Sequence, residues 1–129
     1  MLKFYSASTR IINTKRCVCE CLDIALNDNS ISADLLIYHA SIGHNYNEIL
    51  EESKVQFPHA DVVVASCCGV VGKEGVSESM KDMALMAIEG KDYALAEVND
   101  FFGHNAFNKT LALAKSLQSQ KSGINMIYF

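Results

Sequence analysis

Two short apolar runs constrain this chain most: Leu35-Leu36-Ile37-Tyr38 and Val62-Val63-Val64, each next to a stretch of helical periodicity. Both runs are too short for a helix, and both are apolar at consecutive positions, so both faces of each strand need cover. Such strands sit inside a parallel sheet whose connections are helices.

The flanking sequence fits that reading. Phe4 to Ile12 is short, apolar and β-branched towards its end, as expected of a first strand. Asn13 or Thr14 then caps a helix whose stripe is Val18, Leu22 and Ala25, widened by Cys17, Cys21 and Ile24. Asn27 to Ser30 ends it as a loop. The second strand lies within Ala33 to Ile42, and a second helix starts near Asn45 or Asn47, runs through Ile49, Leu50 and Val55, and stops before Pro58. The third strand, Asp61 to Ala65, leads into Ser66-Cys67-Cys68-Gly69. Met83 to Ile88 and Tyr93 to Val98 read as a hairpin about Glu89-Gly90-Lys91-Asp92. A last helix from about Asn105 carries the stripe Phe107, Leu111, Ala114 and Leu117; Gly123 stops it, and Ile124 to Phe129 reads as a final strand. The expected fold is α/β: a mixed sheet with three parallel strands connected by helices, an antiparallel hairpin, a last helix and a final strand.

A chain of 129 residues suits one domain over 1–129. Its net charge is −4, and its eleven Lys and Arg form no basic stripe, so the electrostatic footprint of nucleic-acid binding is missing. No apolar stretch approaches the roughly 20 residues of a membrane span, and the start does not read as a signal peptide. Five cysteines, an odd number without scaffold spacing, read as reduced thiols in a cytoplasmic protein. The apolar end of the chain leaves two options: a strand that docks firmly, or a fragment of something larger.

Ligands of open α/β sheets bind beyond the carboxyl ends of the parallel strands. That rule selects Ser8, Thr9 and Arg10 after the first strand; His39, Ser41, Gly43, His44 and Asn45 after the second; and Ser66, Cys67, Cys68 and Gly69 after the third. A crevice floored by these small polar groups suits a small polar molecule. Backbone N–H groups near Asn45 favour an anion or carboxylate there. The plainer alternative is that Ser, Asn and Gly populate any strand-to-helix loop.

Cys17, Cys19 and Cys21 cannot converge on one zinc from a helix and read as packed thiols. Cys67 or Cys68 would act as a nucleophile if His39 or His44 lay within reach, although no signature of a known cysteine enzyme surrounds them. His39 or His44 is also the candidate axial ligand if the chain holds haem. No P-loop, dinucleotide fingerprint or carboxylate pair is present, and no other cofactor is expected.

The stretch Ala60-Asp61-Val62-Val63-Val64-Ala65-Ser66-Cys67-Cys68-Gly69-Val70-Val71-Gly72 resembles the signature of the FIST N-terminal domain, in which a buried strand runs into a Gly-Cys-Ser-Thr-type turn. Ala33-Asp34-Leu35-Leu36-Ile37-Tyr38-His39-Ala40-Ser41 is similar to that family's second strand and polar loop, and the resemblance covers roughly Phe4 to Val98. The chain departs from the pattern where Ala65 replaces a usual glycine and Ser66-Cys67-Cys68 replaces Cys-Ser-Thr. The resemblance implies a sensory module of signal transduction rather than an enzyme. Its input would be a small ligand such as an amino acid, or haem in a gas-sensing variant. It also implies a second FIST half or an effector signalling domain as partner. A lone half would expose surface meant for that partner, so a homo-oligomer is expected.

The expected ligand site comprises Ser8, Thr9, His39, Ser41, His44, Asn45 and the Ser66 to Gly69 turn, with the glycine-rich loop after Gly69 as the moving element. A haem sensor, a cysteine-dependent enzyme and an interaction module without ligand are the alternatives. The site reading requires the loops after the second and third strands to open at the same end of the sheet.

Overall fold

The computed structural model describes residues 1–27, 32–72, 75–121 and 123. They fall into two compact units, Met1–Lys91 and Asp92–Phe129.

The first unit is an α/β layer. Strand β1 (Lys3–Arg10) leads into helix α1 (Thr14–Ala25), strand β2 (Leu35–Ser41), helix α2 (Tyr46–Gln56) and strand β3 (Asp61–Cys67). Two short strands follow, β4 (Val70–Gly72) and β5 (Gly75–Ser77), and then β6 (Asp82–Glu89). Local chemistry sets both helix starts. The Asn13 side chain accepts from the Arg16 N–H at the head of α1, and Asn45 accepts from the Asn47 and Glu48 N–H groups at the head of α2. On α1, Cys17, Val18, Cys21, Leu22 and Ala25 are all buried, as a stripe at i, i+1, i+4, i+5 and i+8 must be when it packs on a sheet.

The sheet order is β1-β6-β2-β3. β2 and β3 are parallel, while β6 runs antiparallel to both β1 and β2. The three helix-linked strands therefore share one direction, and the mixed α/β sheet is the expected one.

The hairpin, however, is not where the sequence suggested. Residues 93–98 form no strand, and the antiparallel hairpin is β4–β5, a separate two-stranded element. The reason is the position of β6. Met83, Leu85, Ala87 and Ile88 are buried, and an octapeptide apolar on both faces belongs in the middle of a sheet. Inserted between β1 and β2, it has both edges hydrogen-bonded and offers none to a hairpin partner.

One face of the sheet lies under the helices. Leu36, Tyr38, Ala40, Met83, Leu85 and Ala87 pack there with the α1 stripe and Ile49 of α2. Fully burying one such aliphatic side chain contributes roughly 1.5–3 kcal/mol. The Tyr38 hydroxyl meets Ser53 Oγ at 3.0 Å, and burial pushes its ionisation well above the ordinary tyrosine range.

In the second unit, helix α3 (Ala106–Gln120) has no buried residue: Phe107 is 80% exposed and Leu111 44%. The expected apolar stripe exists but is not buried. The Asn105 side chain does not cap the helix; it accepts from the Phe102 N–H and donates to the Asp100 carbonyl. The expected final strand, 124–129, lies outside the described residues. Among the described residues, no helix is long and apolar enough to cross a membrane.

Candidate functional site

Side chains alternate between the two faces of a strand, so the pairing register assigns each residue its neighbours. On the face away from α1 and α2, at the carboxyl ends of β1, β2 and β3, one row crosses the whole sheet. Arg10 pairs with Asp82, the Ala40–Met83 pairing sets Ser41 beside Asp82, and Ser41 pairs with Cys67. The next row is Ser8, Ala84, His39 and Ala65. Ser8, His39, Ser41 and Cys67, picked from sequence for their position after parallel strands, thus share one face and one end. The loops after β2 and β3 leave the sheet as immediate neighbours.

The remaining expected residues are placed otherwise. Thr9 faces α1, where its hydroxyl donates to Glu20 Oε1 at 3.1 Å. Ser66 alternates to the helix side of the edge strand and is exposed, as is Cys68.

His44 is 6% exposed and works as a tie. Its Nε2 donates to the Lys81 carbonyl at 3.0 Å, and its Nδ1 lies 3.4 Å from Thr14 Oγ1, which itself accepts from the Asn45 N–H at 3.1 Å. A carbonyl can only accept, so Nε2 carries the proton and Nδ1 is left to the threonine hydroxyl. Both ring nitrogens are thus engaged within the chain, and neither is open to an iron as the haem expectation for His44 requires. Asn45 is engaged in the same way. Its carboxamide oxygen takes up the Asn47 and Glu48 N–H groups, at 3.1 and 3.4 Å, to which an anion would otherwise bind.

Two residues of this end, Asp82 and Glu20, were missed from sequence, and so was the state of a third, the Ser41 hydroxyl. Asp82 is fully buried at the head of β6 and accepts from Ser77 Oγ at 2.8 Å and from the Ser79 N–H at 2.6 Å; Arg10 Nε lies 3.6 Å from it. The one signal that could have found it is a carboxylate opening an otherwise apolar run, opposite the arginine that closes β1. Ser41 is 3% exposed, and its Oγ is the buried side-chain polar atom left without a hydrogen bond among the described residues. Glu20 was an anonymous residue of an amphipathic helix.

Cys67 receives the Gly69 N–H, yet burial outweighs that bond, the neighbouring Asp82 carboxylate adds to it, and the thiol is pushed up. A nucleophilic thiolate needs the opposite shift. Among the described residues no group of three or more His, Cys, Asp or Glu side chains is arranged to hold a metal ion.

The open space lies at the flank of this end. A cleft of about 340 Å³ runs along Ser8, Thr9, Arg10 and Ile11, with Glu20 and Ile24 of α1 on one side and the β4–β5 hairpin, through Val70, Gly72 and Gly75, on the other. Gly72 sits against Ser8 so closely that a Cβ there would overlap the serine hydroxyl, so only glycine permits the hairpin this position. A shallower hollow of about 270 Å³ lies between Cys68, Gly69 and Glu78. Of the expected residues, Ser8 and Thr9 line the first and Cys68 and Gly69 the second; His39, Ser41, His44 and Asn45 line neither.

No known protein family matches this chain, and neither a curated protein nor a solved structure was found to match it.

Proposed function

We propose that this chain is a small-molecule-binding domain of the sensory kind that the FIST resemblance implies, acting in the cytoplasm, with its ligand in the cleft beside the carboxyl end of β1. The observation that carries the reading is the composition of that cleft. Its volume, about 340 Å³, is in the range of small-ligand sites. Arg10, with half of its side chain exposed, offers a cation, and Glu20, on the facing helix, offers a carboxylate. Ile11, Ile24 and Val70 supply apolar wall. A small molecule bearing both an anionic and a cationic group, such as an amino acid, finds a partner for each.

One wall belongs to the β4–β5 hairpin, the glycine-rich segment after Gly69. A ligand that touches the hairpin has different contact energy in its different positions, which is the requirement for a signal. Val71 and Val76 of the hairpin are 80% and 73% exposed and would be the surface read by an effector.

A thermal-shift and calorimetric titration with amino acids and small organic acids tests the reading. A ligand at a hundred times its Kd stabilises by about 2.7 kcal/mol. The shift should vanish in Arg10→Ala and Glu20→Ala. A panel that stabilises nothing, or a shift indifferent to both substitutions, would end this proposal.

A further inference from the structure

The sheet has two outer edges, and they are built differently. On β1, Lys3 and Arg10 stand at the two ends, and the hairpin strand β4 packs against it. Charges and covering elements are the usual means of blunting an edge. Antiparallel self-pairing of β1 end to end would also set Lys3 against the partner's Arg10. The β3 edge has neither device. Its sequence is Asp61-Val62-Val63-Val64-Ala65-Ser66-Cys67, with one charge at the first position and no proline, lysine or glycine, and among the described residues no strand pairs with its outer side.

The helix above this edge is apolar in the same direction. α1 packs over β1 and β6, and α2 packs against α1 and β3. Ile49 and Ser53 of α2 point down into the core with no exposure. Glu52 and Gln56 turn to α1, each within hydrogen-bond distance of Cys19 Sγ, at 3.5 and 3.4 Å. With 3.6 residues per turn, Tyr46, Leu50 and Phe57 then fall on the opposite flank, which looks out over β3. Leu50 is 39% exposed there, and Tyr46 and Phe57 are partly so. Below them Val63 is 37% exposed on the other face of the strand.

We propose that two copies of this chain pair antiparallel through the outer edges of β3, making one eight-stranded sheet with the two α2 helices side by side over the seam. A strand edge can accept many partners; a second copy is favoured here because the edge is complementary to itself. The two-fold register that pairs all seven residues sets Asp61 opposite the partner subunit's Cys67, Val62 opposite the partner subunit's Ser66, Val63 opposite the partner subunit's Ala65, and Val64 opposite its own copy. No like charges meet, β-branched side chains dominate the cross-strand pairs, and each residue meets one of the same face, so both helical layers stay on one side. The chain is acidic overall, at −4, but this edge carries a single charge, at Asp61.

Light scattering across a dilution series reads the assembly. The wild-type chain should have twice its 14.2 kDa mass at the concentrated end. Val63→Lys and Leu50→Glu, both at partly exposed positions, should each give a folded monomer, with folding checked by circular dichroism. In the Val63→Lys/Ala65→Glu double variant the introduced ammonium faces the introduced carboxylate of the partner subunit on both sides of the two-fold axis, and the dimer should return. A wild-type chain that is monomeric throughout overturns the proposal. So does a dimer untouched by both single substitutions, or one that forms only after residues 124–129 are removed, which would mean that the chain's own end occupies the edge. A single-variant monomer that the double variant fails to rescue overturns the register.

Discussion

The carboxyl end of the sheet holds two polar groupings of similar composition and opposite fate. One is closed. Asp82 binds Ser77 and Ser79, His44 joins Thr14 to Lys81, and both acid and imidazole are sealed from water. The other is open. Arg10 and Glu20 face a cleft, and the Arg10 side chain is half exposed. The closed groups spend their hydrogen bonds on pinning loops: His44 fixes the β2–α2 turn to the loop before β6, and Asp82 fixes the end of β5. The open groups keep capacity for a ligand. Residue type did not separate the two, nor did the presence of partners, since Arg10 reaches Asp82 and Glu20 accepts from Thr9; burial did.

Substitutions break the contrast in order of size. Asp82→Ala leaves the part-buried Ser79 N–H and Ser77 hydroxyl without their acceptor, and should cost about 3 kcal/mol in urea unfolding. A loss under about 1 kcal/mol would make Asp82 as dispensable as a surface charge. His44→Ala removes the partner of the Lys81 carbonyl and of Thr14, and should cost about 2 kcal/mol with no change in haem absorbance when haem is added. A Soret change that this substitution abolishes would put His44 back among the ligands.

The closed side also fixes a pH dependence. Cys67 and Tyr38 are both pushed up chiefly by burial, whereas the hydrogen bond within the Cys17–Cys21 pair raises Cys21 and lowers Cys17, opposing effects of one contact. A raised pKa in the folded chain means that the unfolded chain loses these protons first. Stability is therefore level at neutral pH and declines once pH passes the unfolded cysteine and tyrosine values, about 8.5 and about 10. Unfolding curves from pH 7 to 10 check this, and a chain as stable at pH 10 as at pH 7 would contradict it. Under mild alkylation at neutral pH, Cys67 should react several-fold more slowly than the exposed Cys68.

On the open side the effects on folding are small. Arg10→Ala removes a half-exposed partner of Asp82 and should cost less than about 1 kcal/mol, while abolishing ligand-induced stabilisation. Ser41→Ala deletes a buried hydroxyl that has no partner among the described residues, and should be neutral or stabilising by up to about 1 kcal/mol. A loss of that size instead would show that the hydroxyl is satisfied in solution, for example by a buried water.

What the sequence by itself determined are features whose cause is local. The runs at Leu35 and Val62 announced strands, but only β2 is covered as such a run implies; β3 lies at the sheet edge, has no buried residue and leaves Val63 exposed. Asn13 and Asn45 marked helix starts because a cap bonds two or three residues away. The spacing of Val18, Leu22 and Ala25 gave the stripe of α1, but the same spacing in α3 gave a stripe that stays exposed; periodicity describes a face and not what covers it. The carboxyl-end rule put Ser8, His39, Ser41 and Cys67 at one end of the sheet, since it depends only on strand direction, and the register sets them on one face.

Tertiary structure alone decided the rest. The insertion of β6 between β1 and β2 depends on pairings 43 to 86 residues apart, from Ala40–Met83 to Lys3–Glu89, which no local pattern encodes. That insertion brought Asp82 to Arg10 and Lys81 to His44, whose ring became a fastening rather than a candidate ligand group. Where a polar side chain finds its partner is a matter of which distant segments come together, and only the assembled sheet settles it.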